Sequence, residues 1–220
     1  PALVEGFALS NGYRAERVVL DADHFEYRLS ADATASAHAV FRFRVTTTDE
    51  GFADLLANEA DVVMALREVR PAERERAQEA GMGNLAVIPR SRVVALDAMV
   101  PVVAPENPVR QISTPDLARV LAGEITNWAD LGGPDAPIGL HLPDSGSGLA
   151  QAAEDYLLRP GGLDLSPEVI RHRLSGDMVQ AVAADPFAIG LASYAETGGA
   201  RMLTLSGGCG FRLSANRRSI

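Results

Sequence analysis

Apolar positions along this chain switch repeatedly between a period near 3.6 and a period of 2, which predicts helices alternating with strands. Residues 2–9 place Leu3, Phe7 and Ala8 on one helical face. Residues 16–20 and 39–45 read as strands, the second alternating Val40, Arg42 and Arg44 against Phe41, Phe43 and Val45. Thr46-Thr47-Thr48-Asp49 predicts the cap of a helix over 50–58, with Phe52, Leu55 and Leu56 turned inward. Residues 60–66 read as a buried strand and 71–80 as a charged helix with a solvated face. Further strands are expected over 85–88 and 92–104, until Pro105-Glu106-Asn107-Pro108 breaks the pattern and predicts a crossover between two lobes. Beyond it, Thr114 is expected to cap a helix over 115–121 that Gly123 ends. A strand follows over 138–142, then helices over 147–158, 166–174 and 178–184, with strands over 188–191 and 202–205. Such alternation implies an α/β layered fold.

Composition sharpens this picture. The 220 residues are 47% hydrophobic, enough for a proper core in one large domain or in two lobes of about 100 residues each. No apolar run approaches the roughly 18–20 residues that span a bilayer, and none resembles a secretory signal core. The expectation is therefore a soluble piece whose targeting signal lies outside it. A helix at residues 2–9 with no strand before it also reads as a chain clipped at its start. The net charge of −9, from 20 basic and 29 acidic residues without a basic cluster, argues against a nucleic-acid partner. It does not exclude a small anion, which backbone amides and one arginine recognise locally. All the basic residues are Arg, which fits a GC-rich genome. Cys209 has no internal disulfide partner, so it is either a buried thiol or a partner for a cysteine elsewhere. Four scattered His and one Cys show no metal-ligand spacing, and neither metal nor cofactor is expected.

The candidate chemistry lies in Asp144-Ser145-Gly146-Ser147-Gly148, a small-residue turn between a predicted strand and a predicted helix. Such a turn presents backbone N–H groups and hydroxyls to an anion, or simply caps the helix. It is not a P-loop, since the glycine spacing is wrong and no Lys follows. Nor is it a nucleophile elbow, since Asp144 stands where the first Gly should be. Trp128 reads as a packing anchor, Asn127 as a loop hydrogen-bonder and His141 as a satisfied strand histidine. Asp21, Asp23, His24 and Glu26 suit an exposed strand better than a metal site.

The surrounding text is more specific. Thr114-Pro115-Asp116-Leu117, with Gly123-Glu124-Ile125-Thr126-Asn127-Trp128-Ala129-Asp130-Leu131, resembles the lead-in to the second-lobe binding loop of periplasmic phosphate-binding proteins, the solute receptors of ABC transporters. Phe187-Ala188-Ile189-Gly190-Leu191-Ala192-Ser193-Tyr194, Ala60-Asp61-Val62-Val63-Met64-Ala65 and Leu96-Asp97-Ala98-Met99 resemble three further family strands in the same order. The resemblance is nearest to the branch fused to outer-membrane-associated domains, where a late Cys-Gly pair such as Cys209-Gly210 occurs. It implies a two-lobed type II periplasmic-binding-protein fold, clipped at both ends. Lobe 1 would span 1–104 without its first strand and first binding loop, lobe 2 would span 105–200, and 201–220 would return toward lobe 1.

The family's anion contacts carry over unevenly. A hydroxyl-rich helix start falls on Thr46, Thr47 and Thr48. A Ser-Asp or Ser-Ser-Arg-Pro turn falls on Ala65, Leu66 and Arg67, where the hydroxyls and the acid are gone and Arg67 matches the branch that uses Arg. The Arg-x-x-x-Ser-Gly-Thr loop falls on 143–149; Ser147 and Gly148 survive, while Pro143 replaces its Arg and Leu149 its Thr. Losing two hydrogen bonds to a charged ligand costs about 1.5–3 kcal/mol each. The implied site is Thr47, Thr48, Arg67, Ser145, Gly146, Ser147, Gly148 and Leu149. Arg67 is equally readable as an exposed bystander. The implied function is periplasmic binding of a small oxyanion, phosphate first, for uptake through an ABC permease, with no enzymatic step. One alternative is a degenerate scaffold or sensor tethered to an envelope-associated domain. A more distant one is a hydrolase using Ser147, which lacks a paired base.

Overall fold

The computed structural model describes residues 2–32, 36–207 and 212–213. The chain divides into two compact units, Pro1–Thr46 and Thr47–Ile220. In the first, α1 (Ala2–Ser10) precedes an antiparallel meander of β1 (Arg14–Val19), β2 (His24–Ser30) and β3 (Ala39–Arg44). Among the described side chains of α1, Ala8 is buried, while Leu3 and Phe7 are exposed, contrary to the face expected for them. Tyr27 and Leu29 of β2 are buried, and Phe25 stacks on Phe43 across the ladder at 4.8 Å. The Asp21 carboxylate caps the turn into β2 by accepting the N–H groups of Asp23 and His24. Glu26, expected on an exposed strand, is buried and paired with Arg28 at 2.6 Å.

The second unit begins with α2 (Thr48–Leu56) and α3 (Pro71–Glu79), followed by β4 (Met99–Val103), β5 (Gln111–Ser113) and α4 (Thr114–Leu121). Next come β6 (Gly139–Pro143), α5 (Gly148–Ala153), β7 (Ile170–His172) and α6 (Ser175–Ala184). They are followed by β8 (Ala188–Ser193), β9 (Arg201–Met202), β10 (Thr204–Ser206) and β11 (Arg212–Leu213). A five-stranded sheet has the order β7-β6-β8-β4-β9. Its β7, β6 and β8 are parallel, whereas β4 runs antiparallel to β8. A small sheet orders β11-β10-β5.

Strand alternation explains the two cores. Ile189 and Leu191 of β8 join Val103, Leu140, Leu142, the α4 leucines and Trp128 in one cluster. Ala188 and Ala192 face α6 with Met178, Val179 and Val182 in the other. Between them, Gly190 lets α6 approach closely, because a Cβ there would lie 2.6 Å from Met178 Sδ and 3.1 Å from the His141 carbonyl. Asn107, wholly buried, ties the segment after β4 by donating to the Pro186 carbonyl at 2.9 Å.

Several expected elements differ. The 60–66 stretch forms no ladder and leaves Val62, Met64 and Leu66 at 77%, 67% and 63% exposure. Its alternation suits a strand, but a strand persists only where a neighbour takes its backbone groups, and among the described residues none does. The 85–88 segment is a turn, and of 92–104 only β4 is paired, where β8 lies alongside. Residues 166–174 contain β7 rather than a helix: the Ser-Pro-Glu start reads as helical locally, but pairing of Ile170–His172 with β6 overrides it. The helix expected over 147–158 is α5 followed by a π turn, Glu154–Leu158. Thr114 is the first residue of α4 and Ser113 is its cap, accepting the Asp116 N–H. Gly123 ends α4 with φ 76°, as expected. Cys209 and the Cys209-Gly210 pair lie outside the described residues.

Among the described residues no helix is long and apolar enough to cross a membrane.

Candidate functional site

The parallel strand β6 ends at Pro143, and its continuation meets the start of α2. Open α/β sheets place their crevices at this end of the strands. Asp144 Oδ1 accepts the Gly146 N–H at 2.8 Å, folding the turn, and Ser147 caps α5 by accepting the Ala150 N–H at 3.1 Å. On the other side Thr47 and Glu50 form a capping box. Glu50 accepts the Thr47 N–H at 3.1 Å, and the Thr47 hydroxyl accepts the Glu50 N–H at 3.3 Å.

The two loops lock together. Asp49 N–H donates to the Gly146 carbonyl at 3.2 Å, and Gly148 N–H donates to the Thr48 hydroxyl at 3.1 Å. Both glycines are required for this approach. A Cβ on Gly146 would lie 3.0 Å from Thr47 Oγ1, and one on Gly148 2.8 Å from Thr48 Oγ1.

Arg67 completes the lock. Its side chain is 5% exposed, which overturns the exposed-bystander reading. It donates to both Glu73 oxygens at 2.6 and 2.9 Å, to Asp49 Oδ1 at 2.7 Å, to the Glu68 carbonyl at 2.9 Å and to Gln151 Oε1. Its guanidinium carbon lies 5.0 Å from the centre of the Phe52 ring. Gln151 in turn donates to Asp49 Oδ2 at 2.6 Å and the Ser145 carbonyl at 3.3 Å. The Glu73 carboxylate holds Arg67 more firmly protonated than usual, outweighing the cost of burial, with Asp49 adding to it. Glu73 is thus not part of a solvated face.

A cleft of about 690 Å³ opens beside this lock. Thr47, Ser145 and Gly146 line it, as expected of a site, whereas Thr48, Arg67, Ser147, Gly148 and Leu149 are not in its lining. The buried Leu149 packs inward. The cleft also gathers Arg70, Arg159 and Arg173, which the sequence reading did not select. A signal existed for Arg159, four residues after Asp155, the spacing of a helical ion pair. Nothing local marks Arg70 or Arg173.

Behind the turn, His141 of β6 lies against His172 of β7, with Nδ1 and Nε2 2.9 Å apart and the rings stacked at 5.1 Å. His141 is thus a satisfied strand histidine, as expected. Burial pushes its pKa below the ordinary value and the His172 neighbour adds to this, against an opposing pull from Asp185. Folding therefore prefers neutral His141, and the unfolded chain binds more protons once pH drops below the usual imidazole value of about 6.5. Stability contributed by this group is full above that pH and declines as pH falls through it, by at most about 1.4 kcal/mol per unit for one proton. Urea unfolding at pH 7.5 and 5.5 should show His141→Gln losing less stability between the two than the parent chain; equal losses would show that His141 is not responsible.

A family model described as PBP superfamily domain matches residues 26–215. Phosphate-binding protein PstS of Borreliella burgdorferi is 41% identical over 69 residues, 31% of this chain and 25% of that protein. Protein SphX of Synechococcus elongatus is 27% identical over 124 residues, 54% and 35% of the two chains. A phosphate ABC transporter substrate-binding protein from Clostridium perfringens, solved with bound phosphate, superposes with a TM-score of 0.60 at 22% identity, covering 73% of this chain and 62% of that one. An ABC-type phosphate transport receptor from Vibrio cholerae gives 0.55 at 21% identity, covering 73% and 63%. The match thus spans less than two thirds of each of these proteins. With a family model over most of its length and the same fold in both superpositions, the chain belongs to the PBP superfamily and carries a type II periplasmic-binding-protein fold.

Proposed function

We propose that this chain is an extracytoplasmic solute-binding domain that takes a small oxyanion, phosphate first, into the cleft between the Thr47 loop and the Asp144–Gly146 turn. The observation that carries the reading is the cleft itself. In a chain of this superfamily, Thr47 and Ser145 line a polar crevice at the carboxyl end of a parallel strand, among arginines and carboxylates. The names of the relatives point to the same ligand: the Borreliella burgdorferi protein is called phosphate-binding, and the Clostridium perfringens structure holds phosphate. Function is then capture and release, with delivery to an ABC permease, and no bond is made or broken.

Calorimetric titration with phosphate, after dialysis against phosphate-free, low-salt buffer, tests this. Binding at micromolar concentration is expected, weakened roughly tenfold by Ser145→Ala through one lost hydrogen bond to a charged ligand. No heat at millimolar phosphate would overturn the reading and leave a scaffold domain in its place.

A further inference from the structure

The residues that first suggest an anion site are engaged elsewhere. The Gly146 and Gly148 N–H groups are held by Asp144 and Thr48, the Ser147 hydroxyl by its capping role, and Arg67 by two carboxylates. The carboxylates around the cleft also have partners: Glu50 caps α2, Asp144 folds its turn, Asp49 is bound by Arg67 and Gln151, and Glu154 lies 3.9 Å from Arg171 Nη2.

Arg70 and Arg159 are arranged differently. Arg70 Nη2 lies 3.3 Å from Asp155 Oδ2, and Arg159 Nη1 lies 2.9 Å from Asp155 Oδ1. One carboxylate is therefore shared by two guanidinium groups, both in the lining of the cleft. The backbone sets this up. Glu73 accepts the Arg70 N–H at 2.8 Å, fixing the start of α3. The π turn Glu154–Leu158 widens the helix after α5 and leads directly into the tight turn Arg159–Gly161. Wide turns of this kind recur at functional sites because they re-aim side chains.

We propose that the anion is neutralised by this arginine wall, Arg70 and Arg159, which share Asp155, and not by Arg67 or the α5 turn. The inference rests on the oxyanion reading above and names the cations that serve it. Guanidinium groups suit a tetrahedral oxyanion because their forked N–H donors match pairs of its oxygens. The wall also supplies the charge that the sequence lacks at Pro143.

Phosphate titration of the folded chain and four variants tests it. Arg70→Gln and Arg159→Gln should each weaken phosphate binding by about 10- to 100-fold, the equivalent of one charged hydrogen bond. Arg159→Lys should recover part of the loss, because it keeps the charge without the fork. Arg76→Gln, exposed on α3 and outside the cleft, should bind as the parent does. The Arg159 side chain is 67% exposed, so its replacement leaves folding intact and the comparison valid. A parent chain that binds while both Gln variants bind equally well would overturn the arginine wall alone. A parent chain that binds no phosphate would overturn the oxyanion reading, and the wall with it.

Discussion

Arg67→Ala should destabilise the second unit by about 3 kcal/mol, because removing one member of a buried ion network strands the others. Glu73 is 13% exposed and would keep a carboxylate that only the Arg70 N–H partly satisfies, while Gln151 Oε1 would lose its donor. The value sits at the lower end for a buried network because Asp49 is 49% exposed and water takes over part of its interaction. The contact with Phe52 is lost as well. Urea unfolding should show a lower midpoint at unchanged m-value. Arg67→Lys should recover little, since a single ammonium cannot satisfy Glu73, Asp49 and Gln151 in the planes they occupy. The ligand reading of Arg67 makes the opposite prediction of weakened phosphate binding with stability intact, and that result would show the lock to be unimportant.

Trp128→Ala should cost about 3–5 kcal/mol, the usual toll for emptying a fully buried aromatic site. The indole is 0% exposed and packs in the cluster with the α4 leucines, Leu140 and Ile189. Its Nε1–H donates to the Phe187 carbonyl at 2.8 Å, so truncation also removes one of the two donors to that carbonyl, the other being the Gly139 N–H at 3.0 Å. Trp128→Phe separates the two contributions: most of the volume stays, the hydrogen bond goes, and a loss of about 1–3 kcal/mol is expected. Asn127, which accepts the Ala129 N–H, and Gly132, with φ 75°, hold the short turn that carries the indole, so the backbone does not collapse into the space left. A loss under about 1 kcal/mol in Trp128→Ala would mean that the cluster repacks.

These two residues also mark what was readable. Trp128 as an anchor followed from one large aromatic beside a helix stop, and its surroundings are as expected. The caps are legible to within a residue or two, because capping is an interaction between near neighbours: the Thr46–Asp49 run contains Thr47, the cap of α2, and Thr114, expected to cap α4, directly follows the actual cap Ser113. Arg67 was open between ligand and bystander because its partners are remote. Gln151 is 84 residues away, and the Gln151–Asp49 bond spans 102. The segment 60–66 misled because alternation reports what a chain is able to do, whereas a ladder requires a partner that alternation does not identify.

The sequence by itself determined the alternation of helices and strands, the helix caps, the glycine stops and the family motifs, all set by contacts within a few residues or carried as text. Tertiary structure alone decided that Arg67 locks two loops, that the Asp144–Gly148 donors are largely turned to internal partners, and that Arg70, Arg159 and Arg173 share one cleft. The physical reason is that a hydrogen bond or ion pair saturates the groups that make it. Which groups remain for a ligand is known only once every nearer partner has been placed.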